Sequence, residues 1–259
     1  VSSLDLDAGA ADLERDGICV LKGLLPPEKV ARWKDAFDRL YEARAKVPNG
    51  LAPRGPSRHY LTLPWVEPFA DAEVFAHPAI LGVLDRVFAQ EYAMVQLGVD
   101  VAGPGSEAQE VHRDYRPLFR DDMSTPLYAL AVNFPLVPVT EENGPFKMAR
   151  GTHVLSRDEG VRRIESGENP IESFLAQPGD VTIRTPLALH LGTPNVTDTG
   201  RPMVVMGYVM HWLHTPNVEL DVPRSFYDSL PEETQKLLRC NVVDELPADV
   251  AETYVDFAF

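Results

Sequence analysis

From Tyr92 to Leu213 the chain alternates short apolar runs with turn signals, and this pattern restricts the fold more than any other feature of the sequence. Tyr92 to Val101 reads as one strand. Leu127 to Val137 is a longer, nearly continuous apolar run, as expected for a strand buried on both faces. Val181 to Arg184, Ala188 to Leu191 and Pro202 to Leu213 continue the series. Pro104-Gly105, Glu142-Asn143-Gly144, Pro178-Gly179-Asp180 and Thr199-Gly200 supply turns between them. Short strands with regular turns build a sandwich or a barrel.

Helical signals precede this region. Asp7 is placed to cap a helix running to about Asp16, Gly17 to end it, and Ile18 to Leu21 reads as a buried strand. Pro26-Pro27 marks the start of a second helix from Glu28 to about Lys46, with Val30, Trp33, Phe37, Leu40 and Tyr41 on one apolar stripe. A third runs from about Pro78 to Ala89, with Ile80, Leu81, Leu84 and Phe88 facing inward. Residues 47–66, rich in Pro and Gly, read as a long irregular loop, either plain surface or functional. A weak helical signal lies around Glu232 to Leu238. No repeat, low-complexity segment or linker appears. The reading is a single domain over 1–259: helical support over about 1–90, a β core over about 91–215 and a tail over about 216–259.

Composition narrows the class of partner. The 259 residues are 44% hydrophobic, enough for a sizeable core, and 24 basic against 39 acidic residues give a net charge of −15. That charge repels nucleic-acid backbones and anionic lipid, so neither partner is expected. Cys19 and Cys240 form neither a disulfide framework nor a thiolate metal site. The start of the chain is acidic, with no signal-peptide pattern, and no apolar run reaches the roughly 18 residues that span a bilayer. The expectation is a cytoplasmic protein, monomer or homodimer, that acts on a small molecule.

The histidines carry the chemistry. His112 and Asp114 lie two apart in Glu110-Val-His-Arg-Asp-Tyr115, and in a strand such positions share one face while Arg113 points away. An imidazole and a carboxylate are two ligands for a first-row divalent metal, but the pair alone is weak evidence. His190, inside the apolar run Leu187 to Leu191, supplies a candidate third. A buried imidazole needs a partner, either a metal or a backbone carbonyl. Two His and one carboxylate on Fe(II) leave positions open for a co-substrate and O2. Arg201 follows His190 at the head of the next strand. If two antiparallel strands carry these residues, its guanidinium reaches the same cavity and clamps a carboxylate; a surface ion pair is the other use for it.

The order of motifs resembles the phytanoyl-CoA dioxygenase family of Fe(II)/2-oxoglutarate oxygenases. The resemblance is carried by Asp16-Gly-Ile-Cys-Val-Leu-Lys-Gly23, His112-Arg-Asp114, Glu141-Glu-Asn-Gly-Pro145, Arg150-Gly-Thr-His153, and His190 with Arg201, spanning about residues 12–213. It implies an α+β, mostly β architecture: a double-stranded β-helix (jelly-roll, cupin-like) core with flanking N-terminal helices. It implies iron ligation by His112, Asp114 and His190, with Arg201 on the distal carboxylate of 2-oxoglutarate and Gln96 and Asn133 beside it. Where relatives carry Ser or Thr two residues after the distal His, this chain has Gly192, and Thr193 or a water is expected to substitute. His153 is expected to be structural. Asp114 argues against halogenation, for which relatives replace this carboxylate.

Arg58, His59, Tyr60 and Trp65 of the 47–66 segment, Tyr115 and Arg116 beside the ligand pair, and His211 and Trp212 are the candidate substrate contacts. His211 and His214 lie three apart and should not share a metal. The Ala-, Arg- and Pro-rich composition resembles that of high-GC bacteria, which points to natural-product tailoring by C–H oxidation. The absence of a basic cluster argues against a CoA thioester substrate. The alternative is a cupin-like barrel that binds a small molecule without catalysis, or without O2.

Overall fold

Asp5, rather than Asp7, starts the first helix: its carboxylate accepts the Ala8 N–H at 2.9 Å, and Gly17, at φ 80°, stops the helix. In this computed structural model, which describes residues 5–48, 50–118, 126–214 and 220–247, Asp7 instead lies in the first turn and pairs with Arg86. The helix α1 (Leu6–Asp16) leads into β1 (Ile18–Leu21) and then α2 (Pro27–Ala45). The stripe on α2 behaves as its spacing predicts. Val30, Trp33 and Phe37 are buried, with Leu40 and Tyr41 at its rim. The Trp33 ring meets Phe69 and Phe134 edge-on, at centroid distances of 5.3 and 5.2 Å.

Residues 47–66 are not one irregular loop. They hold a hairpin, β2 (Ala52–Pro53) and β3 (Arg58–Thr62), whose tight turn is what the Pro and Gly residues encode. Gly55 adopts φ 111° there, and the Arg54 N–H donates to the Arg58 carbonyl at 2.9 Å. Two helices follow, α3 (Ala72–Phe75) and α4 (Pro78–Phe88), the latter burying Ile80, Leu84 and Phe88 as expected and Val83 in addition, with Leu81 half-buried.

The strands then come in the expected order with shifted ends. They are β4 (Tyr92–Ala102), β5 (Ala129–Pro135), β6 (Phe146–Ala149), β7 (Ile171–Phe174), β8 (Val181–Arg184), β9 (His190–Gly192) and β10 (Arg201–Met210). Between β6 and β7 lies α5 (Arg157–Ser166), capped by Ser156, which sequence patterning did not mark. Of the expected tail, residues 216–219 and 248–259 lie outside the described residues. The rest forms β11 (Leu220–Pro223), α6 (Arg224–Tyr227), α7 (Glu232–Leu237) and β12 (Cys240–Val243), with β11 and β12 paired in parallel.

Seven strands form an antiparallel sheet in the order β1-β8-β5-β10-β4-β3-β2, and a smaller sheet has the order β7-β6-β9. This is the expected α+β jelly-roll. Period-two alternation divides the large sheet's residues between two environments. Leu97, Val99, Val132, Phe134, Ile183, Val204 and Met206 join the apolar core with the helices. Gln96, Asn133, Thr182, Arg184, Arg201 and Met203 line a cavity whose other wall includes Phe146, Phe174 and His190 of the small sheet.

Candidate metal centre

The segment around His112 is not a strand. It makes one antiparallel bridge to His190, with N–H···O distances of 2.9 and 3.0 Å, and the Asp114 N–H then donates to the Pro186 carbonyl at 3.0 Å. Proline has no N–H to return, so the ladder stops. The side-chain alternation survives nonetheless. Arg113 turns away and donates to the Thr152 and Leu155 carbonyls at 2.8 and 2.7 Å.

His112, Asp114 and His190 converge, with their ligand atoms all within 4.8 Å of one another. His112 Nδ1 lies 2.7 Å from the Glu110 carbonyl and His190 Nδ1 lies 2.8 Å from the Ala188 carbonyl. A carbonyl only accepts, so each Nδ1 carries the proton and each Nε2 presents a lone pair. Those lone pairs face carboxylate oxygens: His190 Nε2 is 3.3 Å from Asp114 Oδ2 and His112 Nε2 is 3.8 Å from Oδ1. Acceptors pointed at acceptors need a cation among them. Two nitrogens and one oxygen on one side, with the opposite side open to a cavity, fit a mononuclear iron site. Burial favours the uncharged form, which raises the Asp114 pKa, but the interactions with His190 and with the Arg184 guanidinium outweigh it and hold the carboxyl well below its usual range. Burial lowers the His112 pKa, and the neighbouring His190 adds to the shift.

Arg201 does not sit on a strand paired with that of His190. β9 pairs with β6, whereas β10 pairs with β4 and β5, so the two residues come from different sheets and meet across the cavity. Only 3% of Arg201 is exposed. Its Nε and Nη2 donate to the Gly144 carbonyl at 3.2 and 2.8 Å, and no carboxylate of a described residue pairs with it. Burial pushes its pKa down, Asp100 opposing and Arg58 reinforcing.

The remaining candidates divide cleanly. Gln96 and Asn133 line the cavity; Gln96 Nε2 donates to the Tyr60 hydroxyl at 2.8 Å and Asn133 Nδ2 to the Val204 carbonyl at 3.2 Å. Tyr60 and Tyr115 line it as well. Thr193 does not: its hydroxyl donates to the Pro145 carbonyl at 2.7 Å. Arg58 is a buried strut, donating to the Glu107 carbonyl at 3.2 Å and also to the Thr193 carbonyl. His59 turns to the Tyr41 hydroxyl at 2.9 Å. Trp65 is a core residue against Phe75 and Phe226. Arg116 and His211 are exposed, Trp212 is 50% exposed, and none of the three is in the cavity lining. His153 is buried with Nε2 3.2 Å from the Glu14 carbonyl, and His214 is exposed, away from the metal cluster.

Sequence reasoning missed Arg54, Asp100, Gln109, Phe146, Phe174 and Arg184, all of which line the cavity. Asp100 was reachable, since it lies two alternations beyond Gln96 on β4; so was Arg184, one beyond Thr182 on β8.

The departure at Gly192 has a steric cause. A Cβ there would lie 2.7 Å from Gln109 Oε1, 2.8 Å from Arg58 Nη1 and 3.0 Å from Arg58 Cζ. Arg58 fills the space a serine would use, and its backbone bonds keep it there. Gly192→Ser is therefore expected to destabilise by about 1–3 kcal/mol through overpacking, read as a lower Tm.

A jelly-roll with two histidines and a carboxylate at its cavity defines the Fe(II)/2-oxoglutarate oxygenase superfamily, and the protein is an oxidoreductase of that class. Within it, the chain belongs to the phytanoyl-CoA dioxygenase (PhyH) family, whose sequence profile matches residues 13–203. Dioxygenase trt7 of Aspergillus terreus is 23% identical over 243 residues, covering 90% of this chain and 83% of the relative. Two crystal structures share the fold. One is the non-heme alpha ketoglutarate dependent epimerase SnoN from nogalamycin biosynthesis, with a TM-score of 0.62, 22% identity and coverage of 79% of this chain and 80% of that one. The other is EctD from S. alaskensis with 2-oxoglutarate and 5-hydroxyectoine, with a TM-score of 0.63, 19% identity and coverage of 85% and 78%.

Proposed function

We propose that the chain binds Fe(II) through His112, Asp114 and His190, takes 2-oxoglutarate and O2 as co-substrates, and oxidises an unactivated C–H bond of a small molecule in natural-product tailoring. The observation that carries the co-substrate is Arg201. A guanidinium 3% exposed with no carboxylate of a described residue in ion-pair contact, Asp100 acting only from a distance, is an energetic liability until an anion reaches it. It lies in the same cavity as the three ligands, which suits an anion whose other end chelates the metal.

When bound, iron supplies the O2 chemistry that turns 2-oxoglutarate into succinate and CO2 and oxidises the substrate. The protein's residues do the positioning. The carbonyls of Glu110 and Ala188 hold both imidazoles with Nε2 inward. Arg201, fixed by the Gly144 carbonyl, clamps the distal carboxylate of 2-oxoglutarate, while Gln96 and Asn133, opposite Gly207 and Val205 on the strands that flank β10, line the same cavity farther along. Thr193 acts indirectly by holding Pro145 of the segment that anchors Arg201. Tyr115, Phe146 and Phe174 give the substrate space an aromatic wall that excludes water. The tailoring role finds support in SnoN, a fold relative from nogalamycin biosynthesis. The reading is of a cytoplasmic enzyme, monomer or homodimer; no described helix is long and apolar enough to cross a membrane.

The test is succinate release. The protein is loaded anaerobically with Fe(II), 2-oxoglutarate and ascorbate, then exposed to O2 with and without candidate small molecules. Succinate above the iron-free control, stimulated by a substrate, is the expected result. Its absence under every condition would leave the binding-barrel reading standing instead.

A further inference from the structure

Arg184 closes β8 with its guanidinium against the metal cluster, and the reading of its role rests on the iron site proposed above. Its Nη1 and Nη2 each donate to Asp114 Oδ2, both at 3.1 Å. No hydrogen bond from a described residue reaches Asp114 Oδ1. The guanidinium is held on its other face as well, with Cζ 4.8 Å from the Phe146 ring centroid. The same ring lies 5.2 Å from that of His190, so one aromatic side chain supports both a ligand and the arginine.

An ionised carboxylate offers about two acceptor sites on each oxygen. Both N–H donors belong to one fork and approach Oδ2 from the same side, setting a fixed cation against that oxygen, whereas Oδ1 accepts no hydrogen bond from a described residue. We propose that Arg184 is a positioning residue that restricts Asp114 to ligation through one oxygen, so that a coordination position stays open which a chelating carboxylate would fill. The position matters because the count is tight. In an octahedral site, two imidazoles, one carboxylate oxygen and two oxygens of 2-oxoglutarate leave one place for O2. A two-oxygen carboxylate leaves none.

Charge supports this role over simple reinforcement of metal binding. A guanidinium repels a divalent cation and withdraws electron density from the ligand it touches. A residue serving affinity alone would be neutral or acidic. What a planar fork on one carboxylate oxygen contributes is direction.

The experiment uses Mn(II), whose bound water is read by water-proton relaxation, in the full chain and in Arg184→Met and Arg184→Lys variants. With 2-oxoglutarate saturating, the unaltered protein is expected to keep a bound water and an enhanced relaxation rate. Arg184→Met is expected to bind Mn(II) at least as tightly but to lose that water, its relaxation rate falling to the level of a fully coordinated metal. Arg184→Lys, with one ammonium in place of a fork, falls between them. If Arg184→Met fails to fold, the lysine variant carries the test alone, by its partial loss. The proposal is overturned if the variants keep the full bound-water signal. It is equally overturned if Arg184→Met binds Mn(II) about tenfold or more weakly, the mark of an ordinary supporting contact. Failure of the unaltered protein to bind Mn(II) would strike the metal site itself and this role with it.

Discussion

Succinate formation by a His190→Ala variant falls to the iron-free level while the protein stays folded. Loss of a group that merely orients a ligand costs about 10–100-fold in metal affinity or activity, so loss of the ligand itself is expected to exceed about 10³-fold. The fold tolerates the change because the backbone of His190 keeps its two hydrogen bonds with His112. Truncation leaves the Ala188 carbonyl without its imidazole donor, a cost of about 1–3 kcal/mol. It also removes a lone pair held 3.3 Å from Asp114 Oδ2, which offsets part of that cost in the metal-free protein. Succinate assay, Mn(II) titration and Tm together separate the outcomes. Near-normal turnover would remove His190 from the metal site; lost turnover with a collapsed Tm would make it structural instead.

The site was more legible than its surroundings, for a physical reason. Metal ligands must be particular residue types at particular offsets, so His112, Asp114 and His190 stood out even though 111–118 proved to be one bridge and a loop rather than a strand. The long helices were legible because α2 and α4 repeat apolar residues over several turns. β6 and β7 were not. Each is four residues long, and β7 is half-exposed or exposed throughout, so neither shows a burial period to read. The β2–β3 hairpin was hidden by Pro53 and Gly55, which serve its turn but read as general disorder of the segment. Arg58 and Trp65 were misread for a shared reason. A large polar or aromatic side chain in a Pro-rich stretch looks available for a substrate, yet three-dimensional packing places Arg58 on backbone carbonyls and Trp65 in the core. Arg184 carried the opposite signal: a charge alternating with Thr182 on an otherwise apolar strand, which requires a buried acidic partner and found one in Asp114.

Arg201→Met is expected to weaken 2-oxoglutarate binding by about 30-fold or more while leaving metal affinity near normal. Truncating one partner of a buried, hydrogen-bonded charge pair costs about 2–5 kcal/mol, and each 1.4 kcal/mol is about tenfold in affinity. The side chain is well prepared to reach that range. It is 3% exposed, and its hold on the Gly144 carbonyl keeps the fork in place before the anion arrives, so little ordering remains to be done. In the absence of co-substrate the variant should be no less stable than the unaltered protein. Removing a buried charge that lacks an acidic partner relieves its desolvation, against loss of the two bonds to Gly144. Arg201→Lys keeps the charge but not the planar fork, so its affinity should recover only partly. Titration of the Mn(II)-loaded variants with 2-oxoglutarate measures both effects. An unchanged dissociation constant in Arg201→Met would show that the distal carboxylate binds elsewhere in the cavity, with Arg54 beside Asp100 as the next cation to test.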